Sequence, residues 1–320
     1  MPNNLNAFRD PIARHLAKHG TLILDGAMAT ELEARGCDLT DTLWSAKVLI
    51  ENPQLIYQVH LDYFRAGAQC AITASYQATP LGFAARGIGE QQSAALIQKS
   101  VELARQARED YLAETGSDTS LLVAGSVGPY GAYLADGSEY RGDYALPQEE
   151  MKAFHRPRIA ALVAAGVDIL ACETLPSFRE TVALLDLLKE FPATFAWFSF
   201  TLRDSQHLSD GTPLSAVTEL LSSAPQAAAI GINCIALESV SAALQHFAKL
   251  SDKPLLVYPN SGEHYDAVTK TWHSCGAAEQ QLAAQAVAWR QIGATIIGGC
   301  CRTTPADIRQ IVAQVAAVNR

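Results

Sequence analysis

The sequence predicts a single (β/α)8 TIM barrel over residues 1–320, on three observations. Eight short apolar, β-branched runs recur along the chain: Thr21 to Gly26, Cys70 to Tyr76, Leu121 to Gly128, Ile169 to Thr174, Ala193 to Phe200, Ala227 to Cys234, Pro254 to Pro259 and Thr295 to Cys300. Between them, apolar residues fall at helical spacing, as in Leu55, Val59, Tyr63 and Phe64, or Ile159, Leu162, Val163 and Val167, or Leu282, Ala286 and Trp289. Chemically active residues gather at the ends of several runs, and the C-terminal ends of barrel strands are where such folds place their sites. Continuous apolar strands alternating with helices indicate a parallel sheet covered by helices. Eight units favour closure over the competing open, doubly wound sheet.

Taken in order, residues 1–20 read as an N-terminal helical extension, with Pro11 near a turn or kink. The first run ends at Asp25-Gly26 and leads into a helical stretch from Ala29 to Arg35. The second ends at Tyr76-Gln77 and the third at Gly128-Pro129-Tyr130. The longest irregular piece, Tyr130 to Leu146, follows the third run and is expected to lie over the barrel mouth as a loop or lid. The fourth run ends at Glu173-Thr174, the sixth at Asn233-Cys234 and the eighth at Gly298-Gly299-Cys300-Cys301. No composition break or low-complexity tract divides the chain.

Composition narrows the function. With 24 basic and 33 acidic residues the net charge is -9, which argues against nucleic acid and anionic membrane surfaces as partners. A hydrophobic content of 49% supplies a large core and excludes disorder. No apolar stretch reaches the roughly 18 residues of a membrane span, and the opening Met1-Pro2-Asn3-Asn4 lacks a signal-peptide layout, so a cytoplasmic protein is expected. Seven cysteines are odd in number and too few for a disulfide scaffold.

Cys234, Cys300 and Cys301 stand at the ends of two strands that a barrel would turn toward one axis. Three thiolates suit Zn2+ and leave its fourth tetrahedral position open to a substrate atom. Neighbouring strand residues point to opposite faces, so Cys300 and Cys301 can both ligate only where the backbone turns irregular; Gly298 and Gly299 offer that freedom. The same cysteines also read as small buried hydrophobes. Cys37, Cys70, Cys172 and Cys275 show no such arrangement and read as structural.

Asp25 reads as a turn residue or as part of the site, and Glu173 as a carboxylate that would be costly to bury unpaired. The simplest common account is that both face the mouth and bind a cation such as a substrate ammonium. The amides of Gly26, Ala27 and Met28, at a helix start, would then take the matching carboxylate. The segment from Tyr130 to Tyr140, with its three tyrosines Tyr130, Tyr133 and Tyr140 and two acids, reads either as a surface loop or as a seat for a sulfonium or ammonium. Trp44, His60, Tyr63, Trp272 and His273 read as packing residues.

These motifs resemble the homocysteine S-methyltransferase family, and within it the bacterial and plant enzymes that use S-methylmethionine. The resemblance rests on Asp25-Gly26 with Thr30-Glu31-Leu32, Leu43-Trp44-Ser45-Ala46, Thr73 to Thr79 with Tyr76, Ser126 to Tyr133, Glu173-Thr174, Gly231-Ile232-Asn233-Cys234 and Gly298 to Thr303. It implies a (β/α)8 barrel, Zn2+ on Cys234, Cys300 and Cys301, and L-homocysteine as acceptor with its amino group at Asp25 and Glu173. It further implies a sulfonium methyl donor, S-methylmethionine or S-adenosylmethionine, covered by the loop with Tyr130 and Tyr133, with Tyr76 and Asn233 as further substrate-binding residues. Betaine as donor, selenocysteine as acceptor, and a non-catalytic binder of thiol amino acids are the alternatives.

Overall fold

The structure, a computed structural model, describes residues 10–40, 43–262, 264–266, 271–273 and 278–318. Each apolar run forms a parallel strand: β1 Leu22–Ile23, β2 Cys70–Ile72, β3 Leu122–Val127, β4 Ile169–Leu175, β5 Ala196–Phe200, β6 Ala227–Asn233, β7 Leu255–Tyr258 and β8 Ala294–Ile297. They lie in one sheet in the order β1-β8-β7-β6-β5-β4-β3-β2. The sheet curls shut between β1 and β2. There Leu24 bridges to Cys70, the Gln69 amide donates to the Ile23 carbonyl at 2.7 Å and the Asp25 amide to the Cys70 carbonyl at 3.0 Å. The barrel predicted from alternation is therefore the fold, with helices between the strands.

β3 to β7 are buried at every position, which is why they read as unbroken apolar runs. Side chains facing inward, among them Leu22, Leu122, Ile169, Trp197 and Leu256, fill the barrel interior, while a second cluster joins the strands to the helices through Phe64, Leu162 and Trp289. The helix Pro11–His19 closes the end opposite the strand C-termini by inserting Ile12 into the interior cluster. Pro11 is the first helical residue and produces no kink, because its missing N–H is one the helix start leaves unpaired in any case. Asp10 caps this helix, its Oδ1 accepting from the Ile12 amide at 2.8 Å. Residues 1–9 of the expected extension lie outside the described residues.

The loops at the C-terminal ends carry more structure than the sequence suggests. The piece after β3 contains a short helix, Tyr130–Leu134, and a 3-10 turn, Ser138–Tyr140. Gly131 lets the two touch: a Cβ there would sit 2.7 Å from the Glu139 amide nitrogen. Two hairpins, Leu202–Asp204 with His207–Leu208 and His264–Asp266 with Thr271–His273, follow β5 and β7. Among the described residues no helix is long and apolar enough to cross a membrane.

Candidate active site

The strand C-termini open into a cavity of about 500 Å³, within the range that buries a small ligand. Cys234, Cys300 and Cys301 line it, and their sulfurs all lie within 4.8 Å of one another. Cys234 Sγ is 3.6 Å from Cys301 Sγ, close to the roughly 3.8 Å that two sulfurs adopt around a tetrahedral ion with bonds of about 2.3 Å. The three thiols are therefore placed to hold a metal ion. Hydrogen bonds from the Cys300 and then the Cys301 thiol pull the Cys234 thiol well below its ordinary pKa, while sharing with Cys234 pushes Cys300 and Cys301 up.

Backbone conformation aims these sulfurs. Cys234 leaves β6 with φ 53°, in the left-handed region, and Arg302 follows the cysteine pair with φ 67°. Gly298 and Gly299, expected to supply torsional freedom, serve instead for close approach. A Cβ on Gly298 would lie 2.6 Å from the Leu24 Cβ, and one on Gly299 would lie 2.4 Å from Thr303 Oγ1. The turn is fixed by the Cys300 amide donating to the Pro259 carbonyl at 2.7 Å and by Thr303 Oγ1 donating to the Cys300 carbonyl at 2.6 Å. Among the described residues, every non-glycine with left-handed φ (Trp44, Ala135, Thr174, Cys234, Arg302) lines this cavity. Strain of this kind persists where the surroundings over-determine it, and it clusters at functional sites.

Asp25 and Glu173 face the same cavity, both buried. Asp25 Oδ2 accepts from the Ile72 amide at 2.9 Å, and Glu173 accepts a short hydrogen bond from the Ser126 hydroxyl. Burial pushes the Asp25 carboxyl well above its usual range, partly offset by the Ile72 amide and reinforced by Glu173. Burial also pushes Glu173 up to about 7, with the Ser126 and Tyr258 hydroxyls pulling it back. Among the described residues no cationic side chain bonds to either acid, and two buried acids so placed are suited to an ammonium group.

Asn233 does not line the cavity. Its side chain is fully buried, accepting from the Thr174 amide and donating to Thr174 Oγ1, each at 2.8 Å. Thr174 has φ 59° and sits where the β4 register shifts, so Asn233 holds the bulge that presents Glu173. Gly26, Ala27 and Met28 line the cavity as expected from their position, and the Ala27 amide donates to Thr303 Oγ1 at 3.2 Å. Tyr63, expected to pack, ties these loops together by donating toward the Ala27 and Thr303 carbonyls at 3.1 and 3.0 Å.

The aromatic wall differs from expectation. Tyr76 lines the cavity, whereas Tyr130 and Tyr133 are not among its lining residues. The short helix turns their rings against Phe154, at centroid distances of 5.0 and 5.5 Å. Tyr140 takes that place, its hydroxyl 3.3 Å from Cys234 Sγ. Trp44, expected to pack, also forms the wall and meets Tyr76 edge-on at 6.3 Å. Its left-handed φ just before the helix Ser45–Glu51 turns the indole inward, a feature no periodicity reports. His60 is wholly buried and its pKa is lowered to about 3 by burial, which fits packing. Trp272, His273 and Cys275 lie outside the residues whose side chains are described.

Fold and site together define a parallel α/β barrel whose mouth carries three convergent thiols and two buried carboxylates. The family model for homocysteine S-methyltransferases matches residues 22–315. The chain is 67% identical over 305 residues to the homocysteine S-methyltransferase of Escherichia coli strain K12, covering 95% of this chain and 98% of that protein. It is 52% identical to the homocysteine S-methyltransferase YbgG of Bacillus subtilis strain 168, covering 95% and 97%. The crystal structure of the homocysteine methyltransferase MmuM from Escherichia coli in its metallated form matches with a TM-score of 0.88 and 64% identity, over 95% of this chain and 99% of that one. The chain belongs to the homocysteine S-methyltransferase family of enzymes.

Proposed function

We propose that the protein transfers a methyl group from S-methylmethionine to the thiol of L-homocysteine, forming methionine, with Zn2+ held by Cys234, Cys300 and Cys301. The observation that carries this reading is the placement of three convergent thiols and two buried carboxylates on one cavity, the arrangement an amino acid with a sulfur at its far end would span. A bound zinc would act as a Lewis acid that keeps the acceptor sulfur deprotonated at neutral pH, where a free thiol of pKa about 8.5 is mostly protonated.

The chain's own residues supply binding and alignment. Asp25 and Glu173 accept the N–H groups of the homocysteine ammonium, anchoring the end of the molecule away from the thiols. Trp44, Tyr76 and Tyr140 offer aromatic faces to a sulfonium, whose positive charge they attract. Transfer then forms one sulfur–carbon bond and breaks another, the donor leaving as a neutral thioether that needs no proton. No general acid is required, and the protein's contribution is to hold attacking sulfur, methyl carbon and leaving sulfur in line. A reducing cytoplasm, where the three thiols stay free, is the compartment this chemistry calls for.

Incubating the purified protein with homocysteine and each of S-methylmethionine, S-adenosylmethionine and betaine tests the reading. Methionine should form fastest with S-methylmethionine, with about one zinc per chain by elemental analysis. Homocysteine binding without methionine from any donor would favour a non-catalytic binder.

A further inference from the structure

Apart from Glu33, which is exposed, the acids lining the cavity are not equally engaged. Asp25 and Glu173 each accept a hydrogen bond from the protein, and Asp136 caps the following turn by accepting from the Ser138 amide at 2.9 Å. Glu139 differs: its Oε2 is buried and has no hydrogen-bond partner. It lies on the 3-10 turn Ser138–Tyr140 and lines the cavity with Asp136 and with Tyr140, whose hydroxyl meets Cys234 Sγ. The backbone there is fixed, since Thr201 Oγ1 donates to the Glu139 carbonyl at 2.9 Å. A buried acceptor left without a donor is costly, so its retention on a cavity wall points to a ligand that completes it.

We infer that Glu139 recognises the α-ammonium group of the methyl donor, and so selects an amino-acid sulfonium over a sulfonium or quaternary ammonium without N–H groups. This rests on the methyl-transfer reading above. Chemistry decides which positive charge Glu139 meets. A sulfonium has no N–H to give to an unpaired oxygen, and its charge disappears as the methyl moves, so a carboxylate beside it would hold back the reaction. An ammonium satisfies the oxygen and keeps its charge throughout. The aromatic faces of Trp44, Tyr76 and Tyr140 remain for the sulfonium, as Asp25 and Glu173 remain for the acceptor. Burial pushes the Glu139 carboxyl up to about 7, and a bound ammonium would draw it back toward the ionised form.

The test measures steady-state kinetics of the zinc-loaded protein and of E139Q, E139D and D143N. The donors are S-methylmethionine and dimethylsulfoniopropionate, which keeps sulfonium and carboxylate but lacks the ammonium. For E139Q the KM for S-methylmethionine should rise about tenfold or more, the loss of one charge-assisted hydrogen bond, with kcat and the KM for homocysteine within about threefold of wild type. Preference for the amino-acid donor should fall by the same factor, and E139D should restore part of it. Asp143, which pairs with Arg141 at 2.9 Å and does not line the cavity, controls for loss of any negative charge from this loop: D143N should leave donor KM unchanged. Equal losses with both donors, a larger effect on homocysteine, or no effect would overturn the assignment of Glu139 alone. No turnover of either sulfonium by the wild-type protein would overturn the methyl-transfer reading with it.

Discussion

Two buried polar clusters stand on the same side of the barrel and differ in how far the protein completes them. Behind the loops after β2 and β3, Arg158 donates to the Tyr76 and Gly128 carbonyls, each at 2.6 Å, and to His155 Nδ1 at 2.9 Å. His155 Nε2 meets Glu180 at 2.7 Å, and Glu180 also accepts from the Tyr130 amide at 2.7 Å and from the Tyr144 hydroxyl. Only Arg158 Nε in this set lacks a partner. At the mouth, by contrast, among the described residues Asp25 and Glu173 meet amide and hydroxyl donors but no cationic side chain, Glu139 keeps a bare oxygen, and three thiols face one another. A cluster closed on itself holds backbone in place; a cluster left open awaits a ligand.

Breaking the open cluster at its centre should have the largest effect on activity. Cys234→Ala, Cys300→Ala and Cys301→Ala are each expected to lower kcat/KM by more than the roughly 10- to 100-fold typical of changes around a metal's ligands, with loss of metal by elemental analysis. A mutant keeping full zinc and rate would remove that cysteine from the centre. In chelated, air-exposed protein the same proximity should yield a disulfide between Cys234 and Cys301, which peptide mapping would detect.

Breaking the closed cluster should act on stability first. Arg158→Met leaves His155 Nδ1 and two carbonyls without their donor, and the buried Glu180 without the nearby guanidinium charge, and is expected to cost about 3 to 5 kcal/mol in denaturant unfolding. At saturating substrates the folded fraction should retain activity far better than the cysteine variants do. If Arg158→Met abolished turnover without lowering stability, the division between the two clusters would fail.

The sequence displayed the open cluster far better than the closed one. Cys234, Cys300, Cys301, Asp25 and Glu173 fall where apolar runs stop, so strand position alone assembles them once the barrel is accepted. Arg158, His155 and Glu180 lie within helices, where a charged residue reads as part of a solvated face; only packing against the loops buries them. Trp44 reads as packing, and Glu139 and Tyr140 read only as members of a segment that is either a surface loop or a sulfonium seat, for a different reason. They belong to loops whose direction depends on left-handed residues such as Ala135 and Trp44 itself, and such turns leave no periodic pattern. Tyr130 and Tyr133 misled because aromatic composition carries no information about which way a short helix turns its rings.

Smaller effects sharpen the contrast within the open cluster. Asp25→Asn and Glu173→Gln should raise the KM for homocysteine by roughly 10- to 150-fold, one charge-assisted hydrogen bond each. Ammonium binding needs the Glu173 carboxylate ionised, so kcat/KM for homocysteine should fall as pH drops through about 7, and Glu173→Gln should lose that acid limb. The sign for folding is opposite. Burial raises the Glu173 pKa from 4.5 to about 7, so the folded state holds the proton more tightly, and stability of the metal-free protein should decline as pH rises across that window. Glu173→Gln should flatten this slope in pH-dependent unfolding. Least of all, Tyr133→Leu should cost about 0.5 to 1.5 kcal/mol through lost contacts with Tyr130 and Phe154, with donor KM nearly unchanged.

The most direct measurement supplies the zinc-loaded protein with 15N-labelled homocysteine and S-methylmethionine carrying 13C in its S-methyl groups, and follows both labels by mass spectrometry. Methionine carrying 15N together with one 13C methyl group, and the loss of that product after chelation and its return with added zinc, is the predicted result. Tight homocysteine binding with no labelled methionine, or labelled methionine formed at an undiminished rate by the chelated protein, would contradict the account.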